Sequence, residues 1–234
     1  MILAIETSGQ YAGVAIVNEY ITIGEMNLNA KTGEKNWTHS EILMPAVSEL
    51  FKLTGVSQNA VDYVAYSAGP GAFTGLRIGA ATALGLARGL NVPAIAVPTL
   101  DALAYNVFDG EMGKIVVPMM DARRGQVYFA VYRDGCKLTD YDALSVEEVL
   151  EIAKQYSSDI IVLGDGADAY KDEILEIMPE VRFAAANNNR QRAASVGCCA
   201  MQQLAAGRQP GEDKIELIYV RAPQAVRDLE AKNQ

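Results

Sequence analysis

Residues 2–26 read ILAIETSGQYAGVAIVNEYITIGEM, and residues 115–135 read IVVPMMDARRGQVYFAVYRDG. In the first stretch, strand-like runs over 2–6, 11–17 and 20–26 are separated by the turn Thr7-Ser8-Gly9-Gln10 and by Asn18-Glu19, which predicts a β-meander. The second stretch starts the pattern again: an apolar run over 115–120, a turn over 121–125, a run over 127–132, and Asp134-Gly135, a favoured hairpin turn. Glu6 and Asp121, Ala15 and Ala130, and Glu19 and Asp134 are each separated by 115 positions. This internal similarity predicts two copies of one meander-plus-helix unit facing each other across a cleft.

Helices fill the spaces around the meanders. After a polar stretch over 27–38, Ser40 precedes Ile42, Leu43, Ala46, Val47, Leu50 and Leu53 at amphipathic spacing, with Pro45 expected to kink the helix or delay its start. A strand over 61–66 leads through GPG at 69–71 into a long helix over 74–90, followed by a strand over 94–97 and a helix over 100–106. In the second half Ser145 and Glu148 form a capping box for a helix reaching 156, and the strand over 160–163 with GDG at 164–166 repeats the strand, glycine turn and helix.

The chain has 234 residues, 50% hydrophobic and 21% charged, enough for one large domain or two modest ones. A net charge of −9 opposes autonomous binding to nucleic acid or an anionic membrane. Three cysteines, two of them the neighbours Cys198 and Cys199, suit a reducing cytoplasm, and no apolar run is long enough to span a membrane.

GPGAFTGLRIG, from Gly69, fails the standard phosphate-loop tests. Leu76 and Arg77 stand where a Walker loop needs Lys and Ser or Thr, and Thr74 stands where the dinucleotide fingerprint needs glycine. Spacing alone favours a tight turn with Thr74 as helix cap. In the helix, Gly75, Gly79, Thr82, Leu86 and Gly89 share a face, and Gly79 and Gly85 lie inside it at about 1 kcal/mol each relative to Ala. Close approach of another backbone would offset that, from the protein's own sheet or from a partner helix. Glu6 and Asp121 each close the first strand of a hairpin and could hold Mg²⁺ across the cleft through water. His39 is the sole histidine, which excludes a histidine-rich metal site, and Arg123-Arg124 and Arg190/Arg192 read as solvated spots.

ILAIETS at 2–8, HSEILMPAV at 39–47, GPGAFTGLRIGAATALGLARG at 69–89, DARRGQVYFAVY at 121–132 and YVR at 219–221 together resemble the TsaB (YeaZ) family over nearly the whole chain. The resemblance implies an α/β fold of the actin-like ATPase (ASKHA) superfamily: two duplicated lobes, each a mixed β-sheet with helices. Residues 1–104 with about 190–234 would form the first lobe, and about 105–189 the smaller second. It implies a cytoplasmic, non-catalytic subunit that binds and activates the paralogue TsaD, with the ATPase TsaE. Together they transfer threonylcarbamoyl from threonylcarbamoyl-AMP to N6 of the adenosine beside the anticodon in tRNAs reading codons that start with A.

The tRNA would be met only through the complex. No metal and no cofactor of its own is implied, and nucleotide at a subunit interface stays open. Two histidines of TsaD-like proteins align with Thr99 and Leu103, neither of which can replace an imidazole. That argues against a metallopeptidase. Glu6 stands where the family usually has Asp, and Leu217 where it usually has Pro.

The expected partner interface comprises Ile42, Leu43, Ala46, Val47 and Leu50 with Gly75, Arg77, Ile78, Gly79, Ala81, Thr82, Leu84 and Arg88, forming a four-helix bundle with TsaD, or with a second copy when TsaD is absent. The competing expectation is a small-molecule kinase or ATPase of the same superfamily using Glu6 and Asp121, weakened by the missing phosphate-loop lysine.

Overall fold

The computed structural model describes residues 1–29, 37–108, 113–210 and 214–221. The polar stretch at 30–36 and the tail beyond 221, both assigned from sequence to the first lobe, lie outside the described residues.

Two sheets are present. The first contains β1 (Ile2–Glu6), β2 (Tyr11–Val17), β3 (Thr22–Asn29), β4 (Tyr63–Ser67) and β5 (Ala94–Val97), in the order β3-β2-β1-β4-β5. The meander pairs antiparallel, and β4 and β5 add in parallel. The second contains β6 (Ile115–Arg123), β7 (Gln126–Phe129), β8 (Tyr132–Arg133), β9 (Cys136–Lys137), β10 (Asp142–Leu144), β11 (Ile160–Leu163) and β12 (Arg182–Phe183), with the path β10-β7-β6-β11-β12. The two orders are one order used twice, with β6 in the place of β1. This is the duplicated, actin-like two-lobe architecture.

Register separates the copies by one residue. Ala4 pairs with Ala15, whereas Met119 pairs with Phe129, and Ala130 lies outside the strand. The second hairpin is tighter because Arg124 and Gly125 both take positive φ, 59° and 75°, in a two-residue turn. β7 and β8 keep one register against β6, and the ladder is interrupted where Pro118 brings no N–H.

Helices cover the sheets. α1 (His39–Thr54) begins two residues earlier than Ser40 suggests, because Thr38 and Glu41 form a capping box in which Thr38 N donates to Glu41 Oε2 at 2.8 Å. It runs through Pro45 without a delayed start and ends at Gly55 in the left-handed conformation. α2 (Phe73–Leu90) also begins early. Its cap position is Ala72, not Thr74, and is fixed by a long-range bond from Ala72 N to Ser8 O at 2.7 Å. β3 starts later than expected and continues to Asn29.

Leu3, Ile5, Val14 and Ile16 face α1 and α2, while Ile2, Ala4, Ala15 and Val17 face α7 (Ala193–Ala205). The period of two in β1 and β2 thus serves two cores. α3 (Thr99–Tyr105) wedges between the lobes, with Ala102 in the α7 core and Leu100 and Leu103 packed with Val116 and Met120 of β6. α4 (Val146–Lys154) and α6 (Lys171–Ile177) pack on the far side of the second sheet, and α5 (Asp165–Ala169) presses on β6. Among the described residues no helix is long and apolar enough to cross a membrane.

α7 receives its N-terminal cap from β3. Ala194 N donates to Glu25 Oε1 at 2.8 Å, Arg192 pairs with Oε2 of the same carboxylate, and Asn27 Oδ1 accepts from Ala193 N at 3.4 Å.

Candidate functional site

Between the lobes lies a cavity of about 880 Å³ lined by the β1–β2 turn, the glycine loop, the end of β6, α5 and the segment 218–221. The glycine loop is held from below. Gly69 N donates to Thr99 Oγ1 at 3.1 Å, and Thr99 N donates to Gly69 O at 2.8 Å. Thr99 and Leu103 therefore have structural work: one clamps this loop, and the other sits buried beneath Gly164.

Two glycines of α2 answer to β1. A Cβ on Gly75 would stand 2.1 Å from Thr7 O, and one on Gly79 would stand 2.1 Å from Thr7 Oγ1. Thr7 Oγ1 donates to Gly75 O at 2.9 Å, so helix and strand end are stitched backbone to side chain. The protein's own sheet thus accounts for Gly75 and Gly79. It does not account for Gly85 or Gly89, where a Cβ would meet nothing within 4 Å.

Glu6 is fully buried at the end of β1 and does not line the cavity, which corrects its expected place as a cleft ligand. Its Oε1 accepts from Ser8 N and Ser8 Oγ, each at 2.5 Å, while Oε2 has no hydrogen-bond partner. Burial pushes this carboxyl up to about 7 in spite of the Ser8 bonds and the nearby Ser67 hydroxyl, with the charge of Asp165 adding to the rise. Buried behind Ser8 and outside the cavity lining, Glu6 is not placed to share a cleft ion with Asp121.

Asp121 does line the cavity. Its carboxylate accepts from Arg123 N at 2.8 Å and pairs with the Arg123 guanidinium at 2.9 Å. The second cleft carboxylate is Asp165, which follows Gly164 at the start of α5. Burial raises its pKa against the hydrogen bond from Gln191 Nε2. Its signal in the sequence was the middle residue of GDG at 164–166. The cleft therefore brings together Asp121 and Asp165, with Arg123, Arg124 and Arg221 at its edge. Among the described residues no group of three or more metal-ligating side chains occurs.

The expected interface residues divide by face. Ile42, Leu43, Ala46, Val47 and Leu50 of α1, and Gly75, Gly79 and Leu84 of α2, are buried in this lobe and cannot form an outer surface. Their apolar periodicity marks the side packed on the sheet. Arg77, Ala81 and Arg88 are exposed and Ile78 and Thr82 half-buried, and with Gly85 and Gly89 they form the outward face of α2. Met44 is the exposed apolar side chain of α1 in its middle turns.

The family model for TsaD, tRNA N6-adenosine threonylcarbamoyltransferase, matches residues 34–231. The chain is 33% identical over 198 residues to the tRNA threonylcarbamoyladenosine biosynthesis protein TsaB of Bacillus subtilis, covering 81% of this chain and 82% of that one. It is 33% identical over 176 residues to the TsaB of Escherichia coli, covering 73% and 74%. Among solved structures, YeaZ from Pseudomonas aeruginosa superposes with a TM-score of 0.75 at 28% identity, covering 93% of this chain and 98% of that one.

Proposed function

Because the chain belongs to the TsaB family of tRNA threonylcarbamoyladenosine biosynthesis proteins, we propose that it is a non-catalytic subunit that docks on TsaD and activates it, with TsaE, in transferring threonylcarbamoyl to tRNA. The observation that carries this reading is the outward face of α2. Among the described residues a Cβ on Gly85 or Gly89 would meet nothing within 4 Å, and Ala81 lies exposed between the charges of Arg77 and Arg88. A glycine in a helix interior costs about 1 kcal/mol relative to Ala. A stripe of small residues offsets that cost when a second helix packs closely against it, in an interface of about 800 Å² per partner.

The net charge of −9 keeps tRNA recognition with the complex rather than with this chain. Docking on a second copy uses the same face and competes with TsaD. The site of action is the cytoplasm, where tRNA is modified.

The test uses Ala81→Arg and Gly85→Arg. Both positions are exposed, so neither variant should melt below the parent, and Gly85→Arg should melt about 2–4 °C higher for its gain in helix propensity. Each should lose binding to TsaD in calorimetry and fail to restore threonylcarbamoyladenosine in tRNA of cells depleted of this protein. Parental binding by both variants would overturn the reading.

A further inference from the structure

The segment 214–221 crosses from one lobe to the other along the cleft. On the first lobe it is held at several points. Tyr66 Oη donates to Glu216 O at 3.3 Å and accepts from Glu216 N at 3.1 Å, and Ile218 N donates to Ala68 O at 2.7 Å. Gly69, at φ +106°, makes room for it, since a Cβ there would stand 2.5 Å from Ile218 O. The Tyr219 ring then lies 5.4 Å from that of Phe73, and its hydroxyl accepts from Arg77 Nε at 3.3 Å.

Two residues on, Arg221 reaches the second lobe. Its guanidinium donates to Gln126 Oε1 on β7, to Ala143 O on β10 at 3.3 Å and, at 3.5 Å, to Ala122 O on β6. One planar fork spans three strands of the second sheet.

The geometry points to a clasp: residues 214–221 fasten the two lobes at a fixed opening, with the first-lobe end permanently seated and Arg221 the releasable end. The asymmetry follows from the contacts. Backbone bonds, a stacked ring and a glycine cradle hold one end, and a single side chain holds the other. Releasing it leaves the strap on its own lobe and lets the lobes hinge about α3, which stays packed on β6, and so changes the width of the cleft that Asp121 and Asp165 line.

The inter-lobe distance of the isolated full-length chain tests this. Spin labels on exposed Cys136 of β9 and on Lys52→Cys of α1, in a background of Cys198→Ala and Cys199→Ala, report it by electron–electron double resonance. The parent should give one narrow distribution. Arg221→Ala should raise the open-to-closed ratio about tenfold or more, the worth of one hydrogen bond from a charged donor. Gln126→Ala removes an acceptor on the opposite lobe and leaves the strap intact, so it reads the same contact without altering the tail. A second, longer distance in either folded variant supports the clasp. An unchanged distribution in both overturns it. TsaD is absent and the labelled chain is diluted into unlabelled protein to remove distances between copies, so the result is independent of docking on TsaD or on a second copy.

Discussion

Replacing Gly79 and Gly85 of α2 with alanine, one at a time, should move stability in opposite directions. Both substitutions gain about 1 kcal/mol of helix propensity. At 85 nothing lies within 4 Å of the new Cβ, so the whole gain survives. A chain of this size should then melt about 2–4 °C higher. At 79 the new Cβ would stand 2.1 Å from Thr7 Oγ1, and Thr7 is fully buried. Turning Thr7 away breaks its bond to Gly75 O and leaves a buried hydroxyl unpaired, about 1–3 kcal/mol, while displacing packed neighbours costs about 1–3 kcal/mol more. The net loss is about 1–5 kcal/mol, or roughly 2–20 °C in melting temperature.

Calorimetric melts of the two variants decide the structural half. Thr7→Ala, which removes the clashing oxygen, should recover part of the loss when combined with Gly79→Ala. The functional half is read on TsaD: Gly85→Ala should be the more stable protein and the weaker partner, by about tenfold, because a methyl group inserted into a close helix contact overpacks it. A Gly79→Ala protein as stable as its parent refutes the Thr7 contact. A stabilised Gly85→Ala protein with parental affinity refutes docking through that face.

Glu6 makes stability depend on pH. A carboxyl with a folded pKa of about 7 holds its proton more tightly than the unfolded chain does. Stability therefore falls as pH rises from the unfolded value of 4.5 through 7, by about 3 kcal/mol in total. Glu6→Gln should flatten the melting temperature between pH 5 and 8 and exceed the parent at pH 8, and a pH profile parallel to the parent's would contradict the buried neutral acid. Asp101 of α3 accepts the Tyr132 and Tyr141 hydroxyls at 2.6 and 2.8 Å, tying α3 to the second lobe. Asp101→Ala should cost about 2–3 kcal/mol in denaturant unfolding, and less than additively with Tyr132→Phe; strict additivity would show that the contact carries no energy. The isolated chain should hydrolyse ATP negligibly, and a robust turnover abolished by both Asp121→Asn and Asp165→Asn would favour the kinase or ATPase alternative.

The meanders were legible because alternation and turn residues are local properties, and Asp134-Gly135 and the Ser145–Glu148 capping box are where their patterns put them. The start of α2 was not. Ala72 carries no capping side chain, and its position is set by Ser8 across the fold. Thr38-x-x-Glu41 did carry the start of α1, a capping box two residues ahead of Ser40. Of the expected interface, the α1 residues and Gly75, Gly79 and Leu84 of α2 lie on the buried side, because apolar spacing in a surface helix marks the side its own sheet buries, whereas Arg77, Ala81 and Arg88 are exposed. The outward side of α2 is recognised by smallness instead. Arg221 as a bridge depends on Gln126, a contact that no window of sequence contains, and Glu6 as a buried acid depends on the packing that closes over the end of β1.

The cap that β3 supplies to α7 has a consequence for how the chain is made on the ribosome. The second sheet draws on one continuous run of chain, whereas the first is finished by a helix synthesised long after its strands. Until residue 194 has left the exit tunnel, Glu25 and Asn27 have no helix to cap, and the face bearing Ile2, Ala4, Ala15 and Val17 stays uncovered. The nascent chain therefore carries an incompletely covered sheet face until α7 emerges, while the opposite face is closed early by α1 and α2. Lengthening the time to residue 205, by slow codons before α7, should increase the demand for chaperones that shield the emerging first sheet.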